Sequence, residues 1–224
     1  MGHPTIRHHS LVIAAASRGA RFFVKKALQQ GHSVTALCLA VDDTGALARM
    51  QALLDKTPLT HGGLPSADTL GTIQAFVRNI LDPETYQMVL NQDSSIDRVC
   101  CFVGTTSLGQ MLRRDIGLYS QTIQALITGM IYSRWVEFYY HGSSGTKGIP
   151  GKNKPRLPDN FVPQWLLNLG LEIPAAQDCF KSEGLLAEAS GSGMNFIVFR
   201  PARLTNGAAG RSCGYCIDTT GWDN

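Results

Sequence analysis

Two adjacent hydroxyls, Ser143 and Ser144, follow an apolar run and stand beside His141 and Lys147. Hydroxyls at a strand end can hydrogen-bond a substrate carbonyl, while the histidine adds a group that titrates near neutrality and the lysine a cation. Lys181 supplies a second cation further along the chain. Another constellation, Ala15-Ala16-Ser17-Arg18-Gly19-Ala20-Arg21, joins small residues, a serine suited to cap a helix and two guanidinium groups. Between a strand and a helix, such a turn lets a phosphate rest on helix N-terminal amides. Cys213 and Cys216 form a CxxC pair. A structural zinc needs about four ligands, and no second CxxC or HxxxH completes the set, so no metal is expected. The pair reads as two thiols near a tail.

The elements that must position these groups alternate short apolar runs with helical patterns, which predicts βα units and a parallel sheet. Residues 10–15 read as a buried first strand. Apolar positions 20, 23, 24, 27 and 28 give residues 18–30 a helical face, and Gly31 stops it. Strands are predicted over 33–40, 72–77, 97–103, 135–140 and 195–200. Helices are predicted over 44–56, 83–91, 115–132 and 177–190, with Asp82 and Pro83 starting the helix at 83. Tyr119 opens the apolar stripe Tyr119, Ile123, Leu126, Ile127, Met130 and Ile131, so it is read as core. Cys100 and Cys101, inside a strand, are read as small buried hydrophobes. Residues 141–160, rich in glycine and proline, are read as a long loop of the kind that serves an active site, and 1–9 and 218–224 are expected to be tails.

A chain of 224 residues, 44% hydrophobic and 17% charged, has the size and composition of a single globular domain. Its 20 Lys+Arg and 17 Asp+Glu leave a net charge of +3. The basic residues are scattered, so no nucleic-acid partner is expected. Apolar stretches are strand-sized, far below the roughly 20 residues of a membrane helix, and the N-terminus lacks an apolar signal core, so a cytoplasmic protein without a membrane partner is expected.

In order along the chain, the turn at 15–21, Val34-Thr-Ala-Leu-Cys38, Arg78-Asn-Ile-Leu-Asp-Pro83, Val103-Gly-Thr105, the segment 138–148 and Arg200-Pro-Ala-Arg-Leu-Thr205 carry a resemblance. Together they resemble the NmrA-like branch of the atypical short-chain dehydrogenases/reductases, whose turn is commonly G-A-T-R-G-x-G. The resemblance covers about residues 10–206, and Arg200 to Thr205 is its most specific motif. It implies an α/β fold, a doubly wound, mostly parallel six- or seven-stranded Rossmann-like sheet in a single domain. It also implies NADP or NAD as cofactor, held by Ala15, Ser17, Arg18, Gly19, Arg21, Asn79, Ile80, Gly104 and Pro201. Ala15 and Arg21 stand where the family has its first and third glycines, so phosphate approach and helix packing are both harder. Leu39 and Ala40, at the end of strand two, stand where relatives that prefer a 2′-phosphate carry arginine.

The tyrosine-dependent branch places its general acid four residues before a lysine. Here Gln177 precedes Lys181 at that spacing, which leaves Ser143, Ser144, Lys181 and His141 as catalytic candidates. Three activities follow from the resemblance. The first is NAD(P)H-dependent reduction of a small or medium, largely apolar carbonyl or conjugated metabolite. The second is a redox-silent isomerase or cyclase using the same cleft, and the third a non-enzymatic dinucleotide-sensing regulator. The cleft is expected at the switch point between strands one and four, lined by Ala16, Ser17, Val103, Gly104, Ser143 and Pro201. Residues 206–224 show no amphipathic helix, so one edge strand around 213–217 and an open substrate side are expected. The apolar cluster Phe161, Val162, Trp165, Leu166 and Leu167 is expected either to cover the pocket as a lid, to form a homodimer contact, or to pack as a short helix into the core.

Overall fold

The computed structural model describes residues 7–38, 45–57, 71–104, 117–142 and 174–199. Its strands are β1 (His9–Ile13), β2 (Ser33–Cys38), β3 (Ile73–Val77), β4 (Arg98–Cys101), β5 (Glu137–His141) and β6 (Phe196–Phe199). Its helices are α1 (Arg18–Gln29), α2 (Ala46–Asp55), α3 (Pro83–Gln92), α4 (Leu118–Ile131) and α5 (Pro174–Ser190). The strands form one sheet in the order β3-β2-β1-β4-β5-β6, every pair parallel. The chain therefore winds outward from β1 in one direction through β2 and β3, then returns to β4 on the other side of β1. That reversal opens a crevice at the carboxyl ends of β1 and β4, the place where open α/β sheets bind ligands.

Alternation along β1 divides the core. Leu11 and Ile13 pack with Tyr86, Ile123, Leu126, Phe138 and Tyr140 on the face covered by α3, α4 and α5. Val12 points the other way, against Val24, Val34 and Met50 on the face of α1 and α2. Both sides of the central strands are thus buried, which is why they read as continuous apolar runs.

Helix ends follow their local chemistry. The Ser17 hydroxyl accepts from the Ala20 amide at 3.4 Å at the start of α1. After α1, Gly31 takes φ 80°, and the His32 amide reaches back to the Ala27 carbonyl at 3.0 Å. The Asp82 carboxylate accepts from Glu84 N at 3.0 Å, with Pro83 in the first turn of α3. At Gly129 α4 comes so close to α3 that a Cβ would lie 2.6 Å from Tyr86 Cβ and 2.8 Å from the Pro83 carbonyl oxygen.

Several boundaries differ from the sequence reading. Strand β1 begins at His9, inside the expected tail, because His9 is tied sideways to Ser95 Oγ at 2.7 Å and Thr35 Oγ1 at 2.9 Å. It ends at Ile13 because the backbone turns at Ala14. Helix α5 starts at Pro174, a residue suited to a first helical turn, rather than at 177. Cys38, Cys100, Cys101 and Cys179 are buried free thiols. Cys213, Cys216 and the cluster 161–167 lie outside the described residues, as does most of the loop 141–160. Among the described residues no helix is long and apolar enough to cross a membrane.

Candidate functional site at the switch point

The carboxyl edge is built first by the turn after β1. Ala14 adopts φ 56°, a left-handed conformation that favours glycine, and its carbonyl accepts from Ser17 N at 2.8 Å. Ala15, the position expected to replace the first glycine, is fully buried, and its amide reaches the Leu37 carbonyl at 3.0 Å. The position whose backbone favours glycine is therefore one residue before the one paired with the family's first glycine. The turn delivers Ser17 half-buried at the helix entry and Arg18 and Gly19 exposed in its first turn. Helix geometry leaves the first-turn amides without intrahelical acceptors, so those of Arg18 and Gly19 face the crevice edge as potential anion donors.

Gly19 has ordinary clearance: a Cβ there would meet Phe102 Cδ1 at 3.6 Å. Phe102 follows β4, and its amide donates to the Ile13 carbonyl at 3.1 Å, which locks the β4 exit against β1. Its ring lies between those of Phe23, 5.5 Å away, and His141, stacked at 5.6 Å. His141, at the end of β5, is half-buried, and burial lowers its pKa below the ordinary histidine value, partly opposed by a backbone hydrogen bond. Its imidazole is neutral at physiological pH, able to accept or donate one hydrogen bond.

Arg21 lies one turn into α1, half-buried, with a buried Nε that has no hydrogen-bond partner. On the far side of β2, Asn79 is exposed, and its side-chain oxygen accepts from Leu81 N at 3.0 Å. Ile80 is fully buried, and its carbonyl accepts the Tyr86 hydroxyl at 2.6 Å. Its side chain belongs to the core, which leaves the exposed Asn79 as the polar group of that pair at the edge.

Val103 is buried and Gly104 exposed at the β4 exit. The Tyr119 hydroxyl lies over Gly104, 3.7 Å from where a Cβ would stand. Sequence reading placed Tyr119 in the core. The structure leaves it half-buried, its ring against the core and its hydroxyl at the edge. The available signal was its position in the first turn of a helix that starts at the carboxyl edge. By contrast, Tyr86 and Tyr140 are buried, with burial raising both phenols well above the ordinary value. Tyr140 is also bound to Ser182 Oγ at 2.8 Å. Lys181 and Gln177 are both exposed on α5.

The structure thus brings Ala15, Ser17, Arg18, Gly19, Arg21, Gly104 and His141 to one edge of the sheet, with Asn79 beyond β2 at the same edge. Ser143, Ser144, Lys147 and Pro201 lie outside the described residues.

No family model matches the chain, and no curated protein is similar to it in sequence. Solved structures are similar in fold. The UDP-glucose 4-epimerase of Bifidobacterium longum, solved with NAD+ and UDP, superposes with a TM-score of 0.58 at 16% identity, over 86% of this chain and 52% of that one. The terminal R domain of the myxalamid PKS-NRPS pathway gives 0.62 at 16% identity, over 89% of this chain and 50% of its own. The UDP-glucose 4-epimerase of Thermotoga maritima gives 0.55 at 16% identity, over 90% and 60%. The chain therefore spans about half to three fifths of the length of these proteins. Together with the strand order, the likeness shows a Rossmann-like α/β fold, shared with these proteins.

Proposed function

We propose that the chain binds a nicotinamide dinucleotide, NAD or NADP, across the switch point and uses it for oxidoreduction of a small or medium, largely apolar carbonyl or conjugated compound. The observation that carries this reading is the α1 entry. It combines a first turn with exposed backbone at Gly19, a capping serine, the cations Arg18 and Arg21, and the buried, unpartnered Arg21 Nε. A pyrophosphate fits this donor set, because its anionic oxygens match helix amides and guanidinium groups. The epimerase neighbours crystallised with NAD share the fold and add support.

The bound dinucleotide supplies hydride chemistry. This chain's residues would orient it: Arg18 and the α1 amides on the pyrophosphate, and Asn79 toward the adenosine side. The stacked Phe102 and His141 would form an aromatic floor on the β4 and β5 side. The Phe102 part of that floor is apolar, which suits an apolar substrate. The neutral His141 ring can take or give one proton to a substrate oxygen within reach. Ser143, Ser144 and Lys181 remain proposed partners of that carbonyl. A redox-silent isomerase in the same cleft is the second reading, favoured by the eroded glycine turn, in which Ala15 and Arg21 stand in place of the first and third glycines.

The test is to titrate purified protein with NADH and NADPH, following their fluorescence. Absorbance at the reduced-nicotinamide band is then followed during incubation with apolar aldehydes, ketones and enones. Saturable binding with consumption of reduced cofactor supports the reductase reading. Binding without consumption, or no binding at all, overturns the reductase reading and favours the redox-silent one.

A further inference from the structure

Helix α4 begins after Gly117, which takes φ 42° and offers no side chain to cap the helix. The cap comes from another helix. Asp178 of α5 accepts from Tyr119 N at 2.7 Å and Ser120 N at 3.2 Å, and its carboxylate also takes the Ser120 hydroxyl. One carboxylate thus holds three donors of the first turn of α4, and a negative charge there is favoured by the helix dipole. The residue carried on that turn is Tyr119, whose hydroxyl overlies Gly104 at the β4 exit.

We propose that Tyr119 contacts the nicotinamide half of the dinucleotide and that Asp178 is the residue that positions it. The inference rests on the proposed dinucleotide reading. A dinucleotide whose pyrophosphate lies at α1 sends its two halves to opposite sides of the switch point. One side is β2 and β3, where Asn79 stands, and the other is β4 and β5, where Gly104 and His141 stand. Gly104 is exposed, so its backbone is open to close approach. A phenol both donates and accepts, which matches the carboxamide of a nicotinamide ring. The Asp178 contacts fix the Tyr119 backbone from a helix 59 residues away in sequence, so the ring does not depend on a flexible loop for its placement.

Binding of two probes tests this: NADH, and ADP-ribose, which lacks the nicotinamide ring. Tyr119→Phe is expected to weaken NADH about fivefold to tenfold, the loss of one hydrogen bond, while ADP-ribose stays within about twofold. Asp178→Ala is expected to reproduce the same selective loss and to add nothing further in the Tyr119→Phe background. Should the alanine variant not fold, Asp178→Asn, which keeps one acceptor oxygen, is expected to give a smaller loss of the same selectivity. Equal losses for both probes, or none, overturn the role of Tyr119. Additive losses in the double variant overturn the positioning role of Asp178. If the unsubstituted protein binds neither probe, the dinucleotide reading fails and the inference with it. If it binds both and Tyr119→Phe changes nothing, the inference fails alone.

Discussion

Replacing Ala14 and Ala15 by glycine, one at a time, isolates the strain in the turn that builds the site. Both alanines are buried, at 9% and 0% exposure, so both variants lose a methyl of similar worth, about 0.8 kcal/mol. Both also gain the extra unfolded-state freedom of glycine, about 0.5–1 kcal/mol. Only Ala14 has a positive φ, 56°, where an L side chain costs about 1–2 kcal/mol. The shared losses cancel in the comparison. Ala15→Gly is therefore expected to destabilise by about 1.5 kcal/mol, and Ala14→Gly to lie near neutrality, leaving a gap of about 1–2 kcal/mol. For a chain of this size that gap is about 3–6 °C in melting temperature, readable by circular dichroism or scanning calorimetry. Equal destabilisation by both substitutions would refute the argument, since it would put no strain at Ala14.

Gly129→Ala is expected to destabilise by about 1–3 kcal/mol despite the better helix propensity of alanine, because the new Cβ meets Tyr86 and the Pro83 carbonyl. Urea denaturation reads the sign, and a more stable variant would contradict the close approach. Ser17→Ala is expected to cost about 1 kcal/mol through loss of the α1 cap, seen as a lower denaturation midpoint. His32 has its pKa lowered by burial, then by the nearby His8 and Arg98, with Asp97 acting the other way. The folded state then binds its proton less readily than the unfolded chain. This contribution to stability is full above the ordinary value near 6.5 and is lost as pH falls through the lowered folded value. A His32→Gln variant is expected to show a shallower fall over that range in pH-dependent melting.

Much of the frame was legible. Leu11, Val12 and Ile13 announced a strand buried on both faces, and the face of Ala20, Val24 and Ala27 announced α1. Asp82 with Pro83 marked α3 through capping chemistry that needs no tertiary context. The site was legible in part, because Ser17 and Gly19 sit in a local strand-turn-helix pattern. Tyr119 was not. Its apolar periodicity with Ile123 and Leu126 hid a hydroxyl whose neighbour, Gly104, comes from another element, and whose anchor, Asp178, comes from a third. The strain at Ala14 was missed for a related reason. Motif comparison aligns residue types, whereas φ is set by where the β1 hydrogen bonds end.

The central claim, that the α1 entry receives a pyrophosphate, is tested most directly by calorimetric titration of NADH and NADPH into the protein and its Gly19→Ala variant, each also melted without ligand. A Cβ at Gly19 has ordinary clearance from Phe102, at 3.6 Å, and alanine favours helix over glycine by about 1 kcal/mol, so the ligand-free variant is expected to be as stable or more so. Gly19 stands at the second glycine position of the turn, where a side chain would crowd a pyrophosphate approaching the helix amides, so affinity is expected to fall by about tenfold or more, the equivalent of about 1.4 kcal/mol or one charge-assisted hydrogen bond. A variant that keeps its stability and binds either dinucleotide as tightly as the parent would contradict the account.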